Sequence, residues 1–152
     1  MNYILNQLES IIREYPPLLK QLSEDDWTFK PAPGKWSRKE VMGHLVDSAQ
    51  NNIRRFIVAQ YEEVPHIVYN QDKWVAIGNH QDSISSDLID LWILLNKHMI
   101  SILKNLSLDS QERLCRTNSV EPRTVKWLAS DYIKHLLHHL HQVLNREPVD
   151  YP

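Results

Sequence analysis

Four stretches of this chain repeat their apolar residues every three or four positions over about twenty residues each, the period of a helix with one buried face. The first, from about Tyr3 to Leu22, carries Ile4, Leu8, Ile11, Ile12, Tyr15 and Leu19; Pro16 and Pro17 are expected to kink or interrupt it. The second opens on Ser37-Arg38-Lys39-Glu40, a capping box in which Ser37 caps the first turn and Glu40 reaches back. It continues through Val41, Leu45, Ala49, Ile53 and Phe56 to about Tyr61, ahead of Pro65. The third, from about Ser85 to Leu106, uses Leu88, Leu91, Trp92, Leu95, Met99, Ile100 and Leu103. The fourth starts from a Thr124 cap and reaches about Asn145. Amphipathic helices of this length bury their stripes against one another, so the expected fold is all-α: an antiparallel four-helix bundle with long crossover connections. Residues 62–82 have no sustained period and read as an ordered connection carrying Tyr69 and Trp74; residues 107–123 read as a polar one.

Composition narrows the function classes. A chain of 152 residues fits one domain, 1–152, and three glycines leave few positions for the tight turns of an antiparallel sheet. With 17 Lys+Arg against 19 Asp+Glu, nothing calls for a nucleic-acid surface. No stretch approaches the ~18 apolar residues of a membrane span. The N-terminal residues lack the basic start, apolar segment and cleavage site of a secretion signal, so the expected location is cytoplasmic. The single cysteine, Cys115, excludes an intramolecular disulfide framework and a cysteine-rich zinc module, and no histidine stands beside it to activate it as a nucleophile.

Histidine is the unusual residue: there are eight, four of them between 135 and 141. His135 and His139 are one helical turn apart on one face, a spacing at which two imidazoles can hold one cation. At about 100° per residue, Leu128, Tyr132, Leu136, Leu140 and Val143 define the apolar face, with His139 at its edge and His135 a little further round. His138 and His141 point largely away and read as solvent-side residues. The sequence HLLHH lacks the glutamate of a metalloprotease helix, and two histidines need a third ligand from elsewhere. The choices are His44, His66, His80 and His98. His44 is favoured, because His44, Ser48, Asn51 and Arg55 form a polar stripe along an otherwise apolar helix, as a wet cleft would require. Asp47 adjoins the stripe. The plainer roles are solvated helix residues for Asp47 and Asp131, a surface pair for Arg54 and Arg55, and core or loop anchors for the tryptophans.

Three segments together resemble the DinB/YfiT-like superfamily: Trp-Ser-Arg-Lys-Glu-Val-Met-Gly-His-Leu-Val-Asp-Ser at 36–48, Tyr-Asn-Gln-Asp-Lys-Trp-Val at 69–75, and Tyr-Ile-Lys-His-Leu-Leu-His-His-Leu-His-Gln-Val at 132–143. The preceding Pro-Gly-Lys at 33–35 fits as well, and the resemblance extends over essentially the whole chain. It implies an antiparallel four-helix bundle holding one divalent metal ion, zinc or nickel, through His44, His135 and His139. Members include provisionally named metal-dependent hydrolases and thiol-dependent transferases and isomerases, and homodimers are common among them.

The expected function is therefore a metal enzyme in which three imidazoles leave a coordination position where water is activated for hydrolysis of a small-molecule substrate. The alternatives are a thiol-dependent S-transferase or isomerase using a low-molecular-weight thiol, and a non-catalytic bundle stabilised by its metal. Asp47 is the expected acid–base partner. Asn51 and Arg55 are the expected substrate contacts, Arg55 meeting an anionic group at the end of the stripe.

Overall fold

A computed structural model describes residues 1–118 and 121–151. Its helices are α1 (Asn2–Leu19), α2 (Glu24–Thr28), α3 (Arg38–Val58), α4 (Gln71–Ile77), α5 (Ser85–Lys104), α6 (Leu108–Glu112) and α7 (Val125–Val143). A 3-10 turn spans His80–Asp82, and β1 (Leu114–Cys115) pairs antiparallel with β2 (Arg123–Thr124). The long helices α1, α3, α5 and α7 form the four-helix bundle.

The expected start signals operate. Ser37 Oγ accepts from the Glu40 amide at 3.1 Å while Glu40 Oε2 accepts from the Ser37 amide at 2.8 Å, and Thr124 Oγ1 accepts from the Trp127 amide at 3.1 Å. The expected ends are corrected: each long helix stops two or three residues early, at Leu19, Val58, Lys104 and Val143. Beyond those points the amides of Leu22, Tyr61, Leu106 and Asn145 bond carbonyls three residues back rather than four, the tightened turn that closes a helix. Pro16 and Pro17 do not interrupt α1. They remove two ladder bonds, but the helix ends two residues later, and the Lys20 amide still bonds the Pro16 carbonyl at 3.0 Å.

In the bundle α3 packs mainly on α5 and α7, and α1 on the same two. Thus α1 and α3 stand on one diagonal, α5 and α7 on the other. The crossings are made by residues 20–37 and 105–124; residues 62–82 join the neighbours α3 and α5 and contain α4 and the 3-10 turn. This connection is tied to the hairpin by two backbone bonds of 2.9 Å, from the Ile67 amide to the Arg116 carbonyl and from the Arg116 amide to the Pro65 carbonyl. Cys115 is fully buried there, not in a polar loop as its neighbours imply. Leu8, Leu45, Phe56, Trp92, Met99, Leu136 and Leu140 are fully buried between the long helices, each contributing about 1.5–3 kcal/mol by burial. Among the described residues no helix is long and apolar enough to cross a membrane.

Candidate metal centre and adjoining cavity

Helix α3 is buried without a break from residue 41 to residue 49, so the polar residues it carries must find partners inside the protein. His44 is 1% exposed. From α7, His135 and His139 reach it, with ring centroids 5.0 and 4.9 Å from the His44 ring and 4.6 Å from each other. His44 Nε2 and His135 Nε2 are 3.0 Å apart, and one ring nitrogen from each of the three histidines lies within 4.8 Å of the others. No carboxylate belongs to the group.

Burial is the main force on these imidazoles. It pushes His44 down to about 3, with repulsion from His139 and His80 adding to the effect. Desolvation holds His135 well below the usual histidine range, and lowers His139 as well, against the opposing effect of the hydrogen bond that Gln142 Oε1 accepts. All three are therefore neutral at pH 7 and offer lone pairs. Nδ1 of His139 lies 3.0 Å from Gln142 Oε1 and Nδ1 of His135 3.4 Å from Ser48 Oγ, which turns the remaining nitrogen of each ring to the cluster. The Nδ1 of His44 is buried with no partner among the described residues, and the Trp36 ring lies 5.3 Å from the imidazole. Converging neutral imidazole nitrogens with no carboxylate in the group are the donor chemistry of a divalent transition-metal site.

The other histidines separate clearly. His80 is buried, but its Nε2 is 3.0 Å from Asp47 Oδ2. Its ring occupies the space that a side chain on residue 43 would need: a Cβ on Gly43 would lie 2.1 Å from His80 Cγ. Asp47, whose plainer role is that of a solvated helix residue, is instead 4% exposed and bound to His80. His66 and His98 are exposed. The solvent-side reading of His138 and His141 is corrected. Beyond α7 the chain turns back through Asn145 at φ 54°, and the two histidines hold it: His138 Nδ1 is 3.2 Å from the Val149 carbonyl, and His141 Nδ1 is 2.8 Å from the Glu147 carbonyl. His141 Nε2 also meets the Tyr15 hydroxyl at 3.0 Å. The segment held in this way lays the Tyr151 ring 5.6 Å from His135.

A cavity of about 320 Å³ opens beside the trio, lined by His135 with Ser48, Asn52, Arg55, Tyr69, Asp131 and Tyr151. Arg55 is 9% exposed, and its Nε and Nη2 donate to the Ile67 carbonyl at 3.2 and 3.1 Å. Asn51 does not line this space; its Nδ2 donates to the Asp47 carbonyl at 2.9 Å, and Asn52 stands at the wall instead. Asp131 is half-buried, its Oδ2 accepts from the Tyr151 hydroxyl at 3.2 Å, and burial pushes its carboxyl up. Ser48 carried a signal in sequence as a member of the His44–Arg55 stripe, and Asn52, one residue past Asn51, falls on its flank. Gln142, Trp36 and Tyr151 carried none that spacing alone could read.

The profile of the DinB superfamily matches residues 7–143. A curated relative from Bacillus cereus, provisionally named a metal-dependent hydrolase, is 26% identical over 110 residues, which cover 72% of this chain and 63% of the relative; a Bacillus anthracis relative gives the same figures. The matched region thus spans under two thirds of these relatives' length. Among solved structures, YfiT from Bacillus subtilis, described as a probable metal-dependent hydrolase with an unusual four-helix bundle topology, superposes with a TM-score of 0.86 at 20% identity, covering 95% of this chain and 83% of YfiT. A mycothiol-dependent maleylpyruvate isomerase superposes with a TM-score of 0.78 at 13% identity, over 97% of this chain and 61% of the isomerase. These two likenesses concern the fold. With the profile covering nearly the whole chain, the protein belongs to the DinB superfamily.

Proposed function

We propose that this chain is a metal-dependent enzyme of the hydrolase type, with His44, His135 and His139 holding one divalent ion, zinc or nickel. The observation that carries the reading is the meeting of three uncharged imidazoles from two helices, with no carboxylate among them, beside a polar cavity. The ion, when bound, supplies Lewis acidity that makes a water or a thiol more acidic. The chain's own groups do the rest. Ser48 and Gln142 orient His135 and His139, and Trp36 covers His44. Asp131, one helical turn before His135, takes over the acid–base role expected of Asp47: Tyr151 occupies its Oδ2, and Oδ1 holds or releases the proton. Asp47, bound to His80, acts as a brace behind the site.

The likeness to a mycothiol-dependent isomerase favours a second reading, transfer chemistry on a low-molecular-weight thiol. Cys115 is fully buried, so such a thiol comes from outside the chain. Protein purified without an affinity tag is expected to carry about one divalent ion per chain by elemental analysis. His44→Ala and His135→Ala are expected to lose it, and equal metal content in wild type and both variants overturns the assignment. Ester and amide substrates assayed with and without small thiols then separate the chemistries: turnover without thiol is hydrolysis, and turnover only with thiol is transfer. A protein that unfolds on chelation and turns nothing over is a metal-stabilised binding bundle.

A further inference from the structure

We propose that the cavity beside the histidine trio takes an organic carboxylate, with Arg55 gripping its anionic group; only the fate of the ligand's other end rests on the metal-dependent reading. Arg55 is a buried cation without an ion pair among the described residues. Buried charges are nearly always paired, because desolvating them costs several kcal/mol that a hydrogen bond to a neutral group only partly offsets. Its visible partners are all neutral: the Ile67 carbonyl, Asn52 Oδ1 at 3.3 Å from Nη1, and the Tyr69 ring 5.9 Å below the guanidinium. Bracing Ile67 requires donors, not a charge, so fixing the connection does not explain an arginine here.

The three hydrogen bonds use three of the five N–H groups of the guanidinium, leaving two, the number a bidentate carboxylate accepts. The same three bonds hold the fork in place before a ligand arrives. Asp131, the other charged group on the wall, makes no direct ion pair with Arg55; the two act on each other only as charges across the cavity, and Tyr151 holds one of the Asp131 oxygens. Along α3 the order His44, Ser48, Asn52, Arg55 rises through eleven residues, about 16 Å of helix. The trio and the guanidinium therefore stand at opposite ends of one row. A ligand anchored by its carboxylate at Arg55 extends past Asn52 and Ser48 and presents its far end beside His135 and Asp131.

The test is calorimetric titration of glutarate and of 3-phenylpropionate, each against its amide, on protein as purified and after EDTA treatment. At least one acid is expected to bind both forms, its amide at least ~10-fold more weakly, and Arg55→Gln is expected to weaken the acid by ~10-fold or more with metal content unchanged. Failure of both acids to bind, or an amide that binds as well as its acid, overturns the proposal. So does acid binding that survives Arg55→Gln and disappears with EDTA, since the carboxylate then sits on the ion. The acid–amide comparison on wild type stands if the variant does not fold, and Arg55→Lys, which keeps the charge but loses the fork, is expected to fall between. A wild-type protein without metal defeats the metal reading alone, because the EDTA-treated arm measures Arg55 by itself.

Discussion

Two buried polar sites lie three residues apart on α3, and they are built on opposite principles. At Asp47 the buried carboxylate meets one imidazole, that of His80, and each satisfies the other at 3.0 Å. At His44 three neutral imidazoles meet with no acid, and their nitrogens face one another. The first arrangement is closed: it needs nothing from outside and holds the 3-10 turn against α3. The second is open: converging acceptor nitrogens with no charge to balance them leave lone pairs for something else to bind. Burial alone therefore does not mark a functional histidine; the balance of its partners does.

That contrast can be broken experimentally. The largest effect is expected from His135→Ala, which removes a ligand and should weaken metal binding by more than the ~100-fold typical of losing a supporting partner, measured by competition with a chelator. His80→Ala should do the reverse. It leaves Asp47 buried and unpaired, a loss of about 3 kcal/mol in urea unfolding, while metal content stays at the wild-type level. Metal loss in both variants would merge the two sites into one.

The next effect is on pH. The folded trio resists protonation, with His44 lowered to about 3 from an ordinary value of 6.5, whereas the unfolded chain protonates near 6.5. Between those values the unfolded chain binds more protons, so stability is complete above pH 6.5 and falls as the pH drops toward 3. The slope is at most about 1.4 kcal/mol per pH unit for each histidine. Urea midpoints of EDTA-treated protein between pH 7 and pH 5 measure this, and His44→Ala should flatten the profile. The smallest effect is expected from Gln142→Ala, which frees the His139 ring and should weaken metal binding by about 10-fold without altering the fold.

Much of this was legible in the chain. The Ser37 and Thr124 caps and the common face of His135 and His139 depend on residues three or four apart, and helical geometry brings those together wherever the helix lies. The polar stripe pointed to His44 for a related reason, since polar residues along a buried helix require a polar cleft. Asn51 and Asp47 lie off the cavity wall: a stripe has two flanks, and the sequence does not say which faces the cavity. Neighbouring helices turned Asn52 and Ser48 toward α7, and left Asp47 to His80.

What the sequence by itself determined is the set of helices, their starts and the donor atoms a metal could use, because these follow from local backbone geometry and from side-chain chemistry. The stripe and the family resemblance pointed to His44 as the partner of His135, 91 residues away, but only the tertiary structure sent His80 to Asp47. It likewise decided that His138 and His141 clasp the returning chain and that Arg55 is buried without a direct ion pair among the described residues. Those pairings depend on which helices share a diagonal and where each connection lands, and periodicity within one helix carries no information about either.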